Sequence, residues 1–484
     1  MTKVVTGSLL FLTIFAYAGM GSVDWRFGTL RDQYVTQTLG WYGLVFVLFV
    51  LLVVWLEWRQ AVDLRWVWGI AIGVRLLLLL TTPTLSDDVY RYLWDGHVAA
   101  QGVSPDAFAI DSAELNPFDH PIRALANNRS MASPYMPAAQ TVFHLAARLF
   151  PLTPLTMQAI MVTFDLLTAV LISKLLTLAN LPARRITLYL LNPLIILEVA
   201  HGAHIDAWMI LLLLLAVYFT LHGGDQAVST TVYRELDFSV LSNQKFGRWI
   251  APITLALAVL TKIIPVLAAP VFFWHWSWRQ RIGSAVLALG LLVPAGRRAG
   301  WGLAGELNGR GVFGALRIYA ARWNFNSGIF HWLEQWLIER GSVTPLETAK
   351  LVVWLLIMGV LLAVWGLAYR YRSPRSALRL LFIPFAAYLS LTPTVHPWYA
   401  LIMLTFVPFL APASDESRWQ WLLVLPWFYL AATLPLSYLT YRDPNDFREF
   451  EWVRQTEWLP TLALATIGLL WKSWTHFSAQ GYDN

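Results

Sequence analysis

The sequence contains no cysteine and few charged residues. Its 484 residues include no Cys, and Asp, Glu, Lys and Arg together make up 13% of the chain. That share is about half of what soluble domains carry. Disulfides and thiolate-bound zinc are therefore excluded. The net charge is +6, but no dense stripe of Lys and Arg is present, which argues against nucleic acid as a partner.

Long apolar runs take the place of charge. Hydrophobic residues make up 57% of the chain, and runs such as residues 39–56 and 351–367 approach the ~20 residues that cross a bilayer. These runs predict an all-α fold, a polytopic transmembrane bundle of about 12–14 helices that forms one domain over residues 1–484. The apolar run to about Val23 is long and no A-x-A site closes it, so we expect a retained first span or signal anchor.

Basic residues orient the chain by the positive-inside rule. In a polytopic chain every second connection lies on the inner side, and basic residues recur at these connections. They are Lys3, Arg59, Arg65, Arg184, Arg185, Arg279, Arg281, Arg370, Arg372, Arg375 and Arg379. This pattern predicts two outer loops, one over residues 85–150 with amphipathic interfacial helices and one over residues 297–348. It also predicts a polar cytoplasmic loop over residues 223–248. Pro265 and Pro270 interrupt an apolar segment that we expect to form a hairpin of short helices.

The first outer loop opens with carboxylates at a membrane boundary. Ser86 suits a helix N-cap, and Asp87 and Asp88 in the first turn favour the helix dipole. Asp88, Arg91 and Asp95 follow at i, i+3 and i+7, so they share one face of a helix lying along the interface. Helix capping alone explains the first two aspartates about as well as a functional role does.

This loop resembles a known family. The segments that carry the resemblance are SDDVYRYLWDG (residues 86–96), GVSP (102–105) and PYMPAAQ (134–140). They are similar to the first outer loop of GT-C glycosyltransferases, above all bacterial polyprenol-phosphate-mannose-dependent mannosyltransferases and, more distantly, GPI mannosyltransferase I. Shorter likenesses follow in order, at NP (192–193), HGAHID (201–206), LTKIIP (260–265) and HPWY (396–399).

The resemblance implies an enzyme that moves a hexose, with mannose favoured, from a polyprenyl-phosphate donor to a glycan, lipid or protein acceptor. The implied place is a bacterial inner membrane among lipids, with the active site on the periplasmic face. An acidic residue near the start of this loop acts as the base in such enzymes, and Asp88 occupies the matching position. Relatives show D-x-D or D-E where this chain has adjacent aspartates. The choice between Asp87 and Asp88, and the use of a divalent metal ion, therefore stay open.

The chemistry of an inverting transfer also calls for a carboxylate base, which takes the proton of the acceptor hydroxyl. We expect Asp88 in this role, with Asp87 or Asp95 assisting. The leaving lipid phosphate needs positive charge, and the guanidinium fork suits phosphate. The candidate cations are Arg91, Lys262, Arg297 and Arg298. Interfacial snorkelling or structural pairing is the alternative role for each.

Seven further residues are candidates for substrate binding, namely Tyr92, His201, His204, Asp206, His396, Trp398 and Tyr399. The H-x-x-H-x-D spacing of residues 201–206 is a weak metal signature, so hydrogen bonding to substrate or to a carboxylate is favoured over a metal ion or simple turn polarity. The rings near residues 396–399 suit sugar stacking, although anchoring in the interface is the stronger alternative.

Buried charges complete the prediction. Asp165 lies deep in an apolar run and is expected to pair with a residue such as Arg75, and Glu198 is expected to be shielded and paired. A transporter or flippase of lipid-linked sugars would share the spans and buried charges. Such proteins often contain inverted repeats, and none is visible here.

Overall fold

The structure, a computed structural model, describes residues 2–27, 31–59, 63–222, 247–303, 309–413, 416–443 and 446–480. No β-strand is found in these ranges, and one isolated bridge pairs Phe325 with Thr394. The predicted all-α fold is confirmed. The predicted cytoplasmic loop over residues 223–248 lies outside the described residues except for its end, where a helix begins at Gly247.

The first half of the chain forms three long helices, an irregular loop and a broken pair of helices. Its α-helices are α1 (Thr2–Phe27), α2 (Arg31–Arg59), α3 (Leu64–Leu78), α4 (Asp88–Ala100), α5 (Ile122–Leu125), α6 (Pro137–Leu149), α7 (Pro154–Leu178), α8 (Thr187–Leu190), α9 (Pro193–Ile196) and α10 (Asp206–His222). A π-helix over Leu197–His201 joins α9 to the turn before α10.

The second half contains the remaining spans and the second outer loop. Its α-helices are α11 (Gly247–Val259), α12 (Ala269–His275), α13 (Trp278–Ala299), α14 (Gly314–Arg322), α15 (Ile329–Glu339), α16 (Pro345–Arg370), α17 (Pro374–Leu391), α18 (Ala400–Leu404), α19 (Val407–Leu410), α20 (Leu425–Thr433) and α21 (Glu451–Gln480). Tighter helical turns precede and follow α20, so that Arg418–Tyr441 forms one apolar column.

Six helical segments within the described residues are long and apolar enough to cross a membrane, or seven if the pair Pro193–His201 and Asp206–His222, bent by 118°, counts as one. The protein is therefore polytopic. Other apolar segments of the described residues fold as shorter pieces, so this count does not test the predicted number of about 12–14 helices. Examples of these shorter pieces are Trp249–Val259 and Ile264–His275, which occupy the segment predicted to form a hairpin of short helices.

The two ends of the bundle differ in charge. Arginines predicted to lie inside gather at one end, where Arg185 pairs with Glu57 at 2.5 Å and Arg379 pairs with Glu416 at 2.5 Å. The same end is closed by Arg375, whose Nε donates to the carbonyl of Ala179 at 3.1 Å. This arrangement follows the positive-inside pattern that the sequence predicted.

The two long loops meet at the other end. The Gly311 amide donates to the carbonyl of Asp106 at 2.7 Å, and the Ala138 amide donates to the carbonyl of Leu260 at 3.0 Å. Helices α4 and α6 cross in backbone contact at Gly96, where a Cβ atom would lie 2.2 Å from the carbonyl oxygen of Phe143. The loop that carries the aspartates is thus fixed to the bundle on two sides.

The predicted pairing of the deepest charges is confirmed. Arg75 Nε lies 2.5 Å from Asp165 Oδ2, and both side chains are fully buried. The Tyr189 hydroxyl donates to the other carboxylate oxygen at 2.6 Å, and Arg75 also donates to the carbonyl of Leu190 at 2.8 Å. The ion pair therefore joins α3, α7 and α8 within the apolar core.

Candidate active site

The two aspartates at the start of α4 accept hydrogen bonds from a side-chain amide and do not cap the helix. Asp87 occupies the N-cap position without a side-chain capping bond, and Ser86 Oγ accepts only a long bond of 3.4 Å from the Asp88 amide. Asn127 Nδ2 instead donates to Asp87 Oδ1 at 3.0 Å and to Asp88 Oδ1 at 2.6 Å. Capping alone therefore does not account for the pair.

The environment of Asp88 raises the pKa of its carboxyl group. Its side chain keeps 17% exposure. Burial, followed by the charge of Asp87, raises the pKa of Asp88 to about 6, although Lys262 and the hydrogen bond from Asn127 act in the opposite direction. A carboxylate with such a pKa is mostly ionised at neutral pH and is a stronger base than an ordinary aspartate.

Arg91 and Asp95 hold the loop together. Arg91 Nε lies 3.0 Å from Asp95 Oδ1, and both side chains are 1% exposed. The guanidinium also donates to the carbonyls of Asn127, Asn128 and Met131 at 3.2–3.4 Å. With every nitrogen of Arg91 engaged, the pair positions the segment that carries Asn127 and presents no exposed group to a substrate.

Asp95 is bonded from the other side by loop and helix residues. Its Oδ2 accepts from Ser133 Oγ at 2.5 Å and from Gln140 Nε2 at 3.2 Å. Tyr92, one turn after Asp88, is fully buried and stacks on Phe143 with ring centroids 4.7 Å apart. The ring of Tyr92 therefore packs between α4 and α6, and its contact with a substrate stays a prediction.

A special turn brings His204 towards Asp88. It follows the π-helix Leu197–His201, and Ala203 has a left-handed φ of 56°, which is costly for a residue with a side chain. At Gly202 a Cβ atom would lie 2.8 Å from both the carbonyl oxygen of Glu198 and Cδ2 of His204. A residue with a side chain at position 202 would therefore displace the imidazole of His204.

His204 lies between two carboxylates. Its Nδ1 is 3.8 Å from Asp88 Oδ2, and its Nε2 is 3.1 Å from Glu198 Oε2. The Tyr438 hydroxyl lies 2.8 and 3.0 Å from the two oxygens of Glu198, to which it donates. Trp398 stacks on the imidazole with centroids 4.1 Å apart. The predicted pairing of Glu198 is confirmed, with partners that the sequence did not indicate.

Lys262 and Asp206 form the second ion pair of the site. Lys262 Nζ lies 2.6 Å from Asp206 Oδ2 and keeps 17% side-chain exposure. The same ammonium lies 5.6 Å from the ring centroid of Tyr399, whose hydroxyl is 2.5 Å from that of Tyr319. A cation thus lies close enough to Asp88 to lower its pKa.

The other predicted histidines are engaged elsewhere. His201 is 3% exposed, with Nδ1 2.9 Å from Thr81 Oγ1 and Nε2 3.3 Å from the Tyr34 hydroxyl. His396 stacks between Trp398, at 4.4 Å, and Phe325, at 4.7 Å, and burial lowers its pKa to about 3. These rings stack on one another, so their faces are not presented to a sugar.

Arg297 and Arg298 lie in the last turn of α13 and are exposed. Arg298 also acts on Asp106 of the first outer loop. Burial raises the pKa of Asp106 to about 7, and the charge of Arg298 is among those that oppose this rise. The two arginines therefore lie near the place where the two predicted outer loops contact each other.

The motif of residues 201–206 does not converge on one point. In the described part of the chain, no group of three or more His, Asp or Glu side chains is arranged to hold a metal ion. His201 contacts Thr81, His204 faces Glu198, and Asp206 pairs with Lys262.

The fold defines an all-α polytopic membrane protein, and a family match identifies it as a glycosyltransferase of GT-C type. A family model described as alpha-(1->6)-mannopyranosyltransferase, N-terminal domain, matches residues 7–278, which is more than half of the chain. The chain belongs to this family and is a mannosyltransferase. No curated protein and no solved structure matches it. The family favours the transferase prediction over the transporter, and its matched segment includes Asp88, His204 and Lys262.

Proposed function

We propose that the protein transfers a mannosyl residue, with inversion, from a polyprenyl-phosphate donor to an acceptor hydroxyl on the outer face of the membrane, and that Asp88 is the base. The observation that carries the proposal is the state of Asp88. It is held by Asn127 through one oxygen at 2.6 Å, keeps 17% exposure and has a pKa raised to about 6. These properties suit a general base at neutral pH.

The reaction balances with Asp88 as the only proton acceptor. The carboxylate takes the hydroxyl proton while the acceptor oxygen forms a bond to the anomeric carbon. The bond from that carbon to the phosphate oxygen breaks, and the lipid phosphate leaves with the electron pair. If the product linkage is the α1→6 linkage in the family description, inversion requires a β-linked donor, and the acceptor oxygen belongs to a primary hydroxyl.

Lys262 is our candidate for the donor phosphate. Its ammonium is partly exposed, and its charge acts on Asp88, so a phosphate bound there would place the anomeric carbon near the base. Arg297 and Arg298, exposed at the end of α13, are candidates for a second contact where the two predicted outer loops contact each other. Arg91 is left out, because its guanidinium is already bonded inside the loop.

The outer face is favoured by the distribution of charge. The site lies at the end of the bundle opposite the arginine pairs of Arg185 and Arg379, and basic ends of membrane proteins face the cytoplasm. In a bacterium this orientation would place Asp88 on the periplasmic face of the inner membrane. We propose residues 85–150 as the catalytic loop and residues 297–348 as the loop that covers it.

Donor and stereochemistry can be tested together in proteoliposomes. The purified protein is given either β-linked polyprenyl-phosphate mannose or a nucleoside-diphosphate mannose, with a mannosyl oligosaccharide as acceptor, and the product is examined by NMR. We expect product from the lipid donor alone, with an α configuration at the new linkage. Transfer from the nucleotide sugar in the absence of lipid donor, or a β-linked product, would contradict the proposal.

A further inference from the structure

We infer that His204, which lies between Glu198 and Asp88, is a positioning residue that accepts a hydrogen bond from Asp88 once Asp88 has taken the acceptor proton. The inference rests on the proposed role of Asp88 as base. His204 is fully buried, so it acts through Asp88 and does not touch the substrate.

The two carboxylates beside the imidazole lie at unequal distances. The Nε2 atom is 3.1 Å from Glu198 Oε2 and Nδ1 is 3.8 Å from Asp88 Oδ2, and neither nitrogen makes a hydrogen bond of acceptable geometry. We place the imidazole proton on Nε2, beside the nearer carboxylate, so that Nδ1 presents a lone pair to Asp88. Two acceptors without a proton between them stay apart, which fits the 3.8 Å gap.

Proton transfer to Asp88 changes this contact. Asp88 Oδ1 is occupied by Asn127 at 2.6 Å, so Oδ2 is the oxygen that receives the acceptor proton. The resulting O–H group points a donor at Nδ1, and the two atoms can close to hydrogen-bonding distance. No further proton movement is needed. The new bond stabilises the protonated base and makes Asp88 a stronger base during the reaction.

The local backbone is built around this histidine. The π-helix before it and the left-handed Ala203 are each unfavourable alone, and the position of Gly202 has no room for a side chain, since a Cβ atom there would lie 2.8 Å from His204 Cδ2. Strain of this kind persists where the surrounding structure fixes it, often at functional sites. The Tyr438 hydroxyl fixes the Glu198 carboxylate, because it lies 2.8 Å from Oε2, the oxygen nearest Nε2, and 3.0 Å from Oε1.

Other ionisable groups also surround Asp88 and His204. They are Asp87, Glu198, His201, Asp206, Lys262, His396 and the tyrosines Tyr92, Tyr135, Tyr319 and Tyr438. Their charges are the same in two variants of His204, so a difference between those variants reports the contact with Asp88 itself.

The test compares His204→Phe with His204→Asn. Phenylalanine keeps a ring against Trp398 but has no acceptor, whereas the asparagine oxygen takes the place of Nδ1. The pH at half-maximal transfer rate is measured, because it does not depend on the amount of folded enzyme. We expect it to fall by about 0.4 to 1 pH unit in His204→Phe, the equivalent of one hydrogen bond, and to stay near the wild-type value in His204→Asn.

Glu198→Gln gives a second reading if His204→Phe does not fold. Loss of the carboxylate frees the imidazole proton to move to Nδ1 and also removes a charge that acts on Asp88. Both effects should lower the midpoint, so the decisive result in this variant is a midpoint that does not fall. An unchanged midpoint in His204→Phe, or in Glu198→Gln where only that variant folds, overturns the inference even if the maximal rate drops. Asp88→Asn separates the two proposals. Full activity in that variant would contradict the assignment of Asp88 as the base. If Asp88→Asn is inactive but the pH midpoints of the His204 and Glu198 variants are unchanged, only the role of His204 is contradicted.

Discussion

Replacing Asp87 by Asn removes a negative charge beside the proposed base and keeps the side-chain shape. One oxygen of Asp87 and one of Asp88 bond the same Asn127 nitrogen at 3.0 and 2.6 Å, so these oxygens are no farther apart than the two bonds together, about 5.6 Å. Unit charges at about 5.6 Å repel by ~0.7 kcal/mol in water and ~3 kcal/mol at an effective dielectric constant of about 20. We therefore expect the pKa of Asp88 to fall by about 0.5 to 2 pH units.

The pH dependence of transfer reports this shift. The base must be unprotonated, so the wild-type rate should rise with pH through a midpoint near the raised pKa of about 6. In Asp87→Asn the rise should occur at lower pH, because an ionised Asp88 is no longer opposed by its neighbour. Rates with the lipid donor are measured from about pH 4.5 to 8.5, the range around that pKa.

A matched control is Asp111→Asn, which removes an exposed carboxylate from the same loop and should leave the midpoint unchanged. A midpoint in Asp87→Asn that stays in place or moves to higher pH would refute the electrostatic reasoning. Loss of transfer at every pH would make Asp87 the base in place of Asp88.

Three further predictions concern packing and the donor phosphate. Arg75→Met leaves buried Asp165 unpaired and should cost about 3–5 kcal/mol of stability, seen as a lower thermal midpoint in detergent that Arg75→Met with Asp165→Leu largely restores. Gly96→Ala places a Cβ 2.2 Å from a carbonyl of α6 and should lower the thermal midpoint by an equivalent of about 1–3 kcal/mol, whereas Gly290→Ala, with nothing within 4 Å, should not. Lys262→Met should raise the KM for the lipid donor about 10- to 100-fold, and an unchanged KM would exclude the phosphate contact.

Properties that each residue carries locally could be predicted from the sequence. Hydropathy predicted the all-helical membrane class, since backbone N–H and C=O groups within a bilayer must form their hydrogen bonds inside the protein. Depth in an apolar run predicted a partner for Asp165, and Arg75 is that partner. The positive-inside pattern predicted which arginines gather at one end, because that rule depends on short loops alone.

Contacts between distant segments could not be predicted in this way. Asn127 lies 39 residues after Asp88, and Tyr438 lies 240 residues after Glu198, so no periodicity relates them. The spacing of Arg91 and Asp95 predicted a shared helix face but not that the loop would fold over it. Hydropathy could not predict that several apolar segments are broken into short helices at prolines, as in Trp249–Val259 and Ile264–His275.

The most direct test of the account is the transfer rate of Asp88→Asn with saturating lipid donor and acceptor. The substitution keeps a hydrogen-bond acceptor for Asn127 but cannot take a proton at neutral pH. We expect the rate to fall by about 10²- to 10⁴-fold, while donor binding and thermal stability stay close to those of Asp111→Asn. A rate near that of the wild type would contradict the assignment of Asp88 as the base.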